Sequence, residues 1–65
     1  MVKCNGKNCE TQLSDSEAEM SPRIIAGHIP IWLVKRPERR LAYARRNYGA
    51  RCESCRARII KELQA

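Results

Sequence analysis

A chain of 65 residues with a formal charge of +6 and four cysteines has room for one domain, residues 1–65, and too little buried area to offset its conformational entropy without a staple. No stretch approaches the roughly 20 consecutive apolar residues of a membrane span, and Met1-Val2-Lys3-Cys4 runs into Asn5-Gly6-Lys7-Asn8 without the apolar core of a secretory leader. The expected setting is cytoplasmic or nucleoid-associated, where thiols stay reduced and a metal site is favoured over two disulfides.

Charge is unevenly placed. Residues 1–20 carry two basic and four acidic side chains, whereas residues 21–65 carry eleven basic and three acidic. Four thiolates on one divalent cation would lower the net charge to about +4 and leave the positive field in the C-terminal two thirds. Such a field predicts nucleic acid or an acidic protein surface as the partner, against the plain alternative of a solubilising surface. Nothing points to a membrane or a small-molecule substrate, and no pattern sets an oligomeric state.

In chain order, Cys4-Asn5-Gly6-Lys7-Asn8-Cys9 places Gly and two Asn between thiols, residue types that turn tightly and tolerate left-handed backbone. This predicts a metal-binding knuckle. Its four-residue spacer fits zinc ligand pairs, although it is looser than the two-residue form. Residues 10–20 form an acidic stretch in which Ser14 and Ser16 stand three before Glu17 and Glu19. Either serine can begin a capping box, so a loop with a short helix is expected. Ser21-Pro22 then has the form of an N-cap with proline at the first helical position, opening a brief helix that buries Ile24, Ile25 and Ala26 and stops at Gly27.

Residues 28–34 are apolar on both alternations and predict a short covered strand or extended segment, confined to an edge by Pro30. The expected core is Ile24, Ile25, Ile29, Ile31 and Leu33, with Trp32 as a further member. On an exposed edge beside Lys35 and Arg36, Trp32 would instead be a stacking platform for a base or an anchor for a protein partner. His28 is the chain's one imidazole, expected as an ordinary core or surface histidine because four cysteines already complete a metal site.

The basic helical part spans residues 37–64. Pro37-Glu38 opens a helix and Gly49 stands just past its end. Leu41, Ala44 and Tyr48 fall at i, i+3 and i+7 and face the core, while Arg39, Tyr43 and Arg46 share another face beside Arg36 and Arg40. From Cys52-Glu53-Ser54-Cys55 onward, Cys55, Ile59 and Leu63 lie on one stripe with Ile60 beside them, so the second thiol pair opens a C-terminal helix and points with its apolar face. Arg58 and Glu62 are spaced for a weak pair. Thiolates at a helix N-terminus face unpaired N–H groups and the positive end of the helix dipole, and Arg51, Arg56 and Arg58 add positive charge nearby.

The ligand set predicted for one Zn2+ per chain is Cys4, Cys9, Cys52 and Cys55. A turn-type thiol pair, a strand in the middle segment and a CxxC opening the last helix resemble the treble-clef style of zinc finger, with RCESCRARIIKEL similar to its second half. The resemblance implies a small zinc-stapled α+β domain, rich in helix. It departs from compact fingers in one respect: 42 residues separate Cys9 from Cys52, where roughly a dozen to twenty is usual. That interval leaves open a different topology, or a zinc shared between two chains.

Four cysteines close a zinc site, whereas catalysis needs an open position. No carboxylate pair, nucleophile with a base or phosphate loop is present, so no enzymatic activity is expected. The eight arginines and no lysine between residues 36 and 58 favour planar, bidentate recognition of phosphates and base edges. Arg36, Arg39, Arg40, Tyr43, Arg45, Arg46, Arg51, Arg56 and Arg58 are therefore the candidate nucleic-acid contacts of a small transcription regulator. The alternative is a protein-binding regulator of the transcription or replication machinery, anchored by Trp32.

Overall fold

Three helices and a two-stranded sheet follow one another along residues 1–64, the part of the chain described by the computed structural model. Strand β1 (Val2–Lys3) pairs antiparallel with β2 (Gln12–Leu13), Val2 opposite Leu13 and Lys3 opposite Gln12. The thiol knuckle is thus the tip of a hairpin, and the Cys4 N–H donates to Thr11 O at 2.8 Å to extend its ladder. Helix α1 covers Asp15–Ala26, α2 covers Pro37–Asn47 and α3 covers Glu53–Gln64. No helix among the described residues is long and apolar enough to cross a membrane.

Helix α1 differs from expectation. Ser14 caps it, accepting a hydrogen bond from the Glu17 N–H at 3.2 Å, and Asp15 and Glu17 in the first turn complement the helix dipole. The helix then continues through Ser21 and Pro22, which are interior and buried, not a new N-terminus. Proline there removes one backbone bond and crowds the preceding turn. Tertiary packing overrides that cost, because Ala18, Ser21, Pro22 and Ile25 form a single inward face at helical spacing. Gly27 ends the helix as predicted, with its N–H on Arg23 O at 3.2 Å.

The segment 28–34 is not a strand. Pro30 O accepts from both Leu33 N (3.1 Å) and Val34 N (3.2 Å), which folds the chain into a turn. Ile29 goes inward before the turn, and Leu33 and Val34 return to the core after it. Ile31 and Trp32 at the tip are 69% and 73% exposed, so neither belongs to the core. Period two on both faces cannot distinguish a covered strand from a turn whose tip faces water.

Helix α2 begins at Pro37, and Gly49 adopts φ +66° just past its end, donating to Ala44 O at 3.0 Å. That conformation is what a helix-terminating glycine provides. Two small cores result. One joins Ile25, Ile29, Ala44 and Ile59, with Leu33, Val34, Tyr43, Tyr48 and Leu63 packed around them. The other joins Leu13 to Cys4 and Cys52, with Ala18 and Ala50 at its edge. Helix α1 spans both and is packed against α2 and α3.

Candidate metal centre

Each thiol pair is placed by a separate local device. In the knuckle, Asn8 takes φ 58°, the left-handed region that asparagine tolerates, and Cys9 N donates to Gly6 O at 3.3 Å. Gly6 is demanded by space. A Cβ there would lie 2.6 Å from Cys55 Sγ and 3.3 Å from Cys4 Sγ, so any side chain would occupy the sulfur cluster.

At the other pair, Cys52 O accepts the first helical bond, from Arg56 N at 2.9 Å, which makes Cys52 the N-cap of α3 and Cys55 its third residue. CxxC therefore has the spacing of a capping box. The Cys55 N–H donates to the Cys52 sulfur, which holds the Cys52 pKa below its ordinary value.

Long-range bonds join the two halves. Cys52 N and Gly6 N both donate to Cys4 Sγ, at 3.2 and 3.4 Å. Asn5 N donates to Ala50 O at 2.8 Å, and Asn5 Nδ2 to Tyr48 O at 3.1 Å. Ser21, fully buried, bonds both backbone groups of Arg51: its hydroxyl donates to Arg51 O and accepts from Arg51 N, each at 2.9 Å. The residue immediately before Cys52 is thereby pinned to α1. Sequence reasoning assigned Ser21 to a cap and gave Asn5 only a turn role; in Ser21, a polar residue at i+3 on the apolar face of α1 was the available signal.

The result is a closed cluster. The sulfurs of Cys4, Cys9, Cys52 and Cys55 all lie within 4.8 Å of one another, and Cys9 Sγ stands 3.7 Å from Cys52 Sγ. Tetrahedral coordination with metal–sulfur bonds of about 2.3 Å requires sulfurs about 3.8 Å apart. All four are free thiols and lie close enough together for the cluster to hold a metal ion. His28 stands elsewhere, with its Nδ1 3.2 Å from Gln64 Nε2.

The thiols also oppose one another electrically. Thr11, whose Oγ1 is 3.3 Å from Cys9 Sγ, stabilises the Cys9 thiolate through its hydroxyl and its N–H and brings that pKa down to about 6. The Cys55 thiol is pushed up to about 12, first by the neighbouring Cys52 sulfur and then by desolvation and the remaining sulfurs. Negative charge on one sulfur discourages ionisation of another at this spacing. A divalent cation in the cluster would let all the thiolates coexist.

The arginines divide into two sets. Arg51 Nε donates to Tyr48 O at 2.8 Å and its guanidinium lies 5.8 Å from the centre of the Tyr48 ring. Arg56 Nη1 reaches Arg51 O at 3.5 Å, and Arg40 Nε reaches Val34 O at 3.4 Å. These three are half-buried, whereas Arg36, Arg39, Arg45, Arg46 and Arg58 are exposed. Arg39, Tyr43 and Arg46 line one shallow depression with Val34 and Ala42, and Tyr43 packs edge-on to Tyr48 with ring centres 6.3 Å apart. The ion pairs found among the described residues are Lys3–Glu10 and Glu19–Arg23; Arg58 and Glu62 do not form one.

No family model matches the chain, and no curated protein or solved structure matches it either.

Proposed function

We propose that the chain is a treble-clef-like zinc module that binds nucleic acid through the outer face of α2, as a small regulator of transcription. Zn2+ would sit on Cys4, Cys9, Cys52 and Cys55, since an all-thiolate tetrahedral set with no redox cue favours zinc over other first-row ions. Its role is structural: it ties the hairpin tip to the start of α3 and leaves no open coordination position, so the reading is non-enzymatic.

The observation that carries the nucleic-acid reading is the depression lined by Arg39, Tyr43 and Arg46. Two guanidinium groups flank an aromatic ring there, which supplies charge for phosphate oxygens and a surface for a base or sugar. Arg36 and Arg45, both exposed, extend the positive field along the same helix. Arg51, committed to Tyr48, holds the helix junction instead of reaching outward.

Arg39→Ala combined with Arg46→Ala tests this by fluorescence anisotropy on labelled oligonucleotides across a salt series. Loss of two phosphate contacts predicts a log–log salt slope shallower by about 1.4 to 1.8, with helix content and metal binding retained. Unchanged affinity and slope would remove this face as the contact surface. The alternative, a regulator that binds an acidic protein, is favoured by one observation, the exposure of Ile31 and Trp32; it requires that no nucleic acid bind even at low salt.

A further inference from the structure

We infer that the nucleic acid bound by this module is single-stranded or unpaired, and that Trp32 stacks on one of its bases. This rests on the nucleic-acid reading above and names its substrate class.

Tips of tight turns are usually built from Gly, Asn, Asp or Ser, yet the turn closed on Pro30 O carries Ile31 and Trp32 at its tip, 69% and 73% exposed. The residues that follow, Leu33 and Val34, reach the core, so the backbone could bury an apolar side chain and presents these two to water instead. Departures from local sequence rules of this kind mark places where function outweighs folding.

What the tip faces is set by its neighbours. Val34 lines the same depression as Arg39, Tyr43 and Arg46, and two residues of chain span at most about 7 Å, so the Trp32 backbone lies beside that basic depression. Lys35 and Arg36, both exposed, follow directly. A protruding indole next to a guanidinium-lined surface pairs a stacking platform with a backbone-tracking charge, the combination that single-strand binders use. A duplex offers the indole nothing comparable, because its base faces are covered by their own neighbours except at the ends.

Trp32 is the chain's one tryptophan, so its emission reports on this contact alone. The test titrates metal-loaded protein with a DNA strand of about 12 nucleotides, within the range single-strand binders cover, with the matching RNA strand, and with a hairpin duplex. Both single strands are expected to quench the indole emission, and any difference between them distinguishes DNA from RNA. Trp32→Ala should weaken single-strand binding on the order of tenfold, with labelled-strand anisotropy as the readout, while leaving duplex binding within about twofold. Trp32→Phe, which keeps a ring, should recover part of the loss. Because the side chain is exposed, helix content and metal stoichiometry should be unchanged in both variants.

Single-strand binding with unaltered emission and an unaffected Trp32→Ala variant would overturn the inference and leave the nucleic-acid reading standing. Tighter binding to the duplex would do the same. Self-association abolished by Trp32→Ala, with no effect on single-strand binding, would assign the tip to a second copy of the chain and likewise overturn it. Failure to bind any of the three probes at low salt would overturn both readings.

Discussion

Replacing Gly6 by alanine would place a methyl group inside the sulfur cluster. Its Cβ would lie 2.6 Å from Cys55 Sγ, 3.3 Å from Cys4 Sγ and 3.4 Å from Cys55 Cβ, the first about 1 Å inside the usual separation of non-bonded heavy atoms. Neither neighbour is the far end of a flexible side chain. With metal bound, the sulfurs are held to within about 0.2 Å, so the knuckle backbone must move and carry Cys4 or Cys9 out of position. Overpacking of this kind costs about 1–3 kcal/mol, and because metal binding and folding are coupled in such a domain, metal affinity should fall about 5- to 150-fold. Competition against a chromophoric chelator measures that loss, and the visible spectrum of the Co2+ form reports whether the four-sulfur geometry survives. Gly27→Ala is the matched control. Its backbone is helical at φ −65°, its Cβ would meet only Ile24 O at 3.5 Å and Arg23 O at 3.9 Å, and the substitution should be neutral or stabilising by about 0.4–1 kcal/mol. Wild-type metal affinity in Gly6→Ala would refute the claim that bare backbone at position 6 is a requirement of the site.

Ser21→Ala should destabilise the metal-loaded protein by about 1–3 kcal/mol in denaturant titrations, since it strands the N–H and C=O of Arg51 at a part-buried junction; a loss within about 0.5 kcal/mol would show that the Ser21–Arg51 bonds are dispensable. Metal uptake should depend on pH with a definite stoichiometry. The lowered Cys9 value stabilises the folded form above the ordinary thiol pKa of 9.0, a contribution lost as pH falls through about 6. The raised Cys55 value acts in the opposite sense, favouring the protonated metal-free form below 9.0 and losing that effect as pH rises through about 12. At pH 7 Cys9 is therefore already ionised and Cys55 is not, so calorimetry in buffers of different ionisation enthalpy should count fewer than four protons released per metal; release of all four would contradict the Cys9–Thr11 stabilisation.

Local chemistry in the chain determined much of this protein. Pro37 and Gly49 bracket α2, the Cys55–Ile59–Leu63 stripe orients α3, and the two thiol pairs, each held in a turn or a helix start, identify the cluster without reference to what lies between them. These signals act over three or four residues, the range in which a cap, a left-handed glycine or a helical face operates. Tertiary structure decided the rest. The continuity of α1 through Pro22 and the exposure of Ile31 and Trp32 depend on how distant parts of the chain pack. Ser21 belongs inside a helix because Arg51, thirty residues away, supplies both of its hydrogen bonds. Asn5 closes the junction after α2 because Tyr48, 43 residues away, offers its carbonyl. A buried polar side chain such as Ser21 is stable only where folding brings its partner, and that partner is chosen by closure of the whole chain, which no local window of sequence contains.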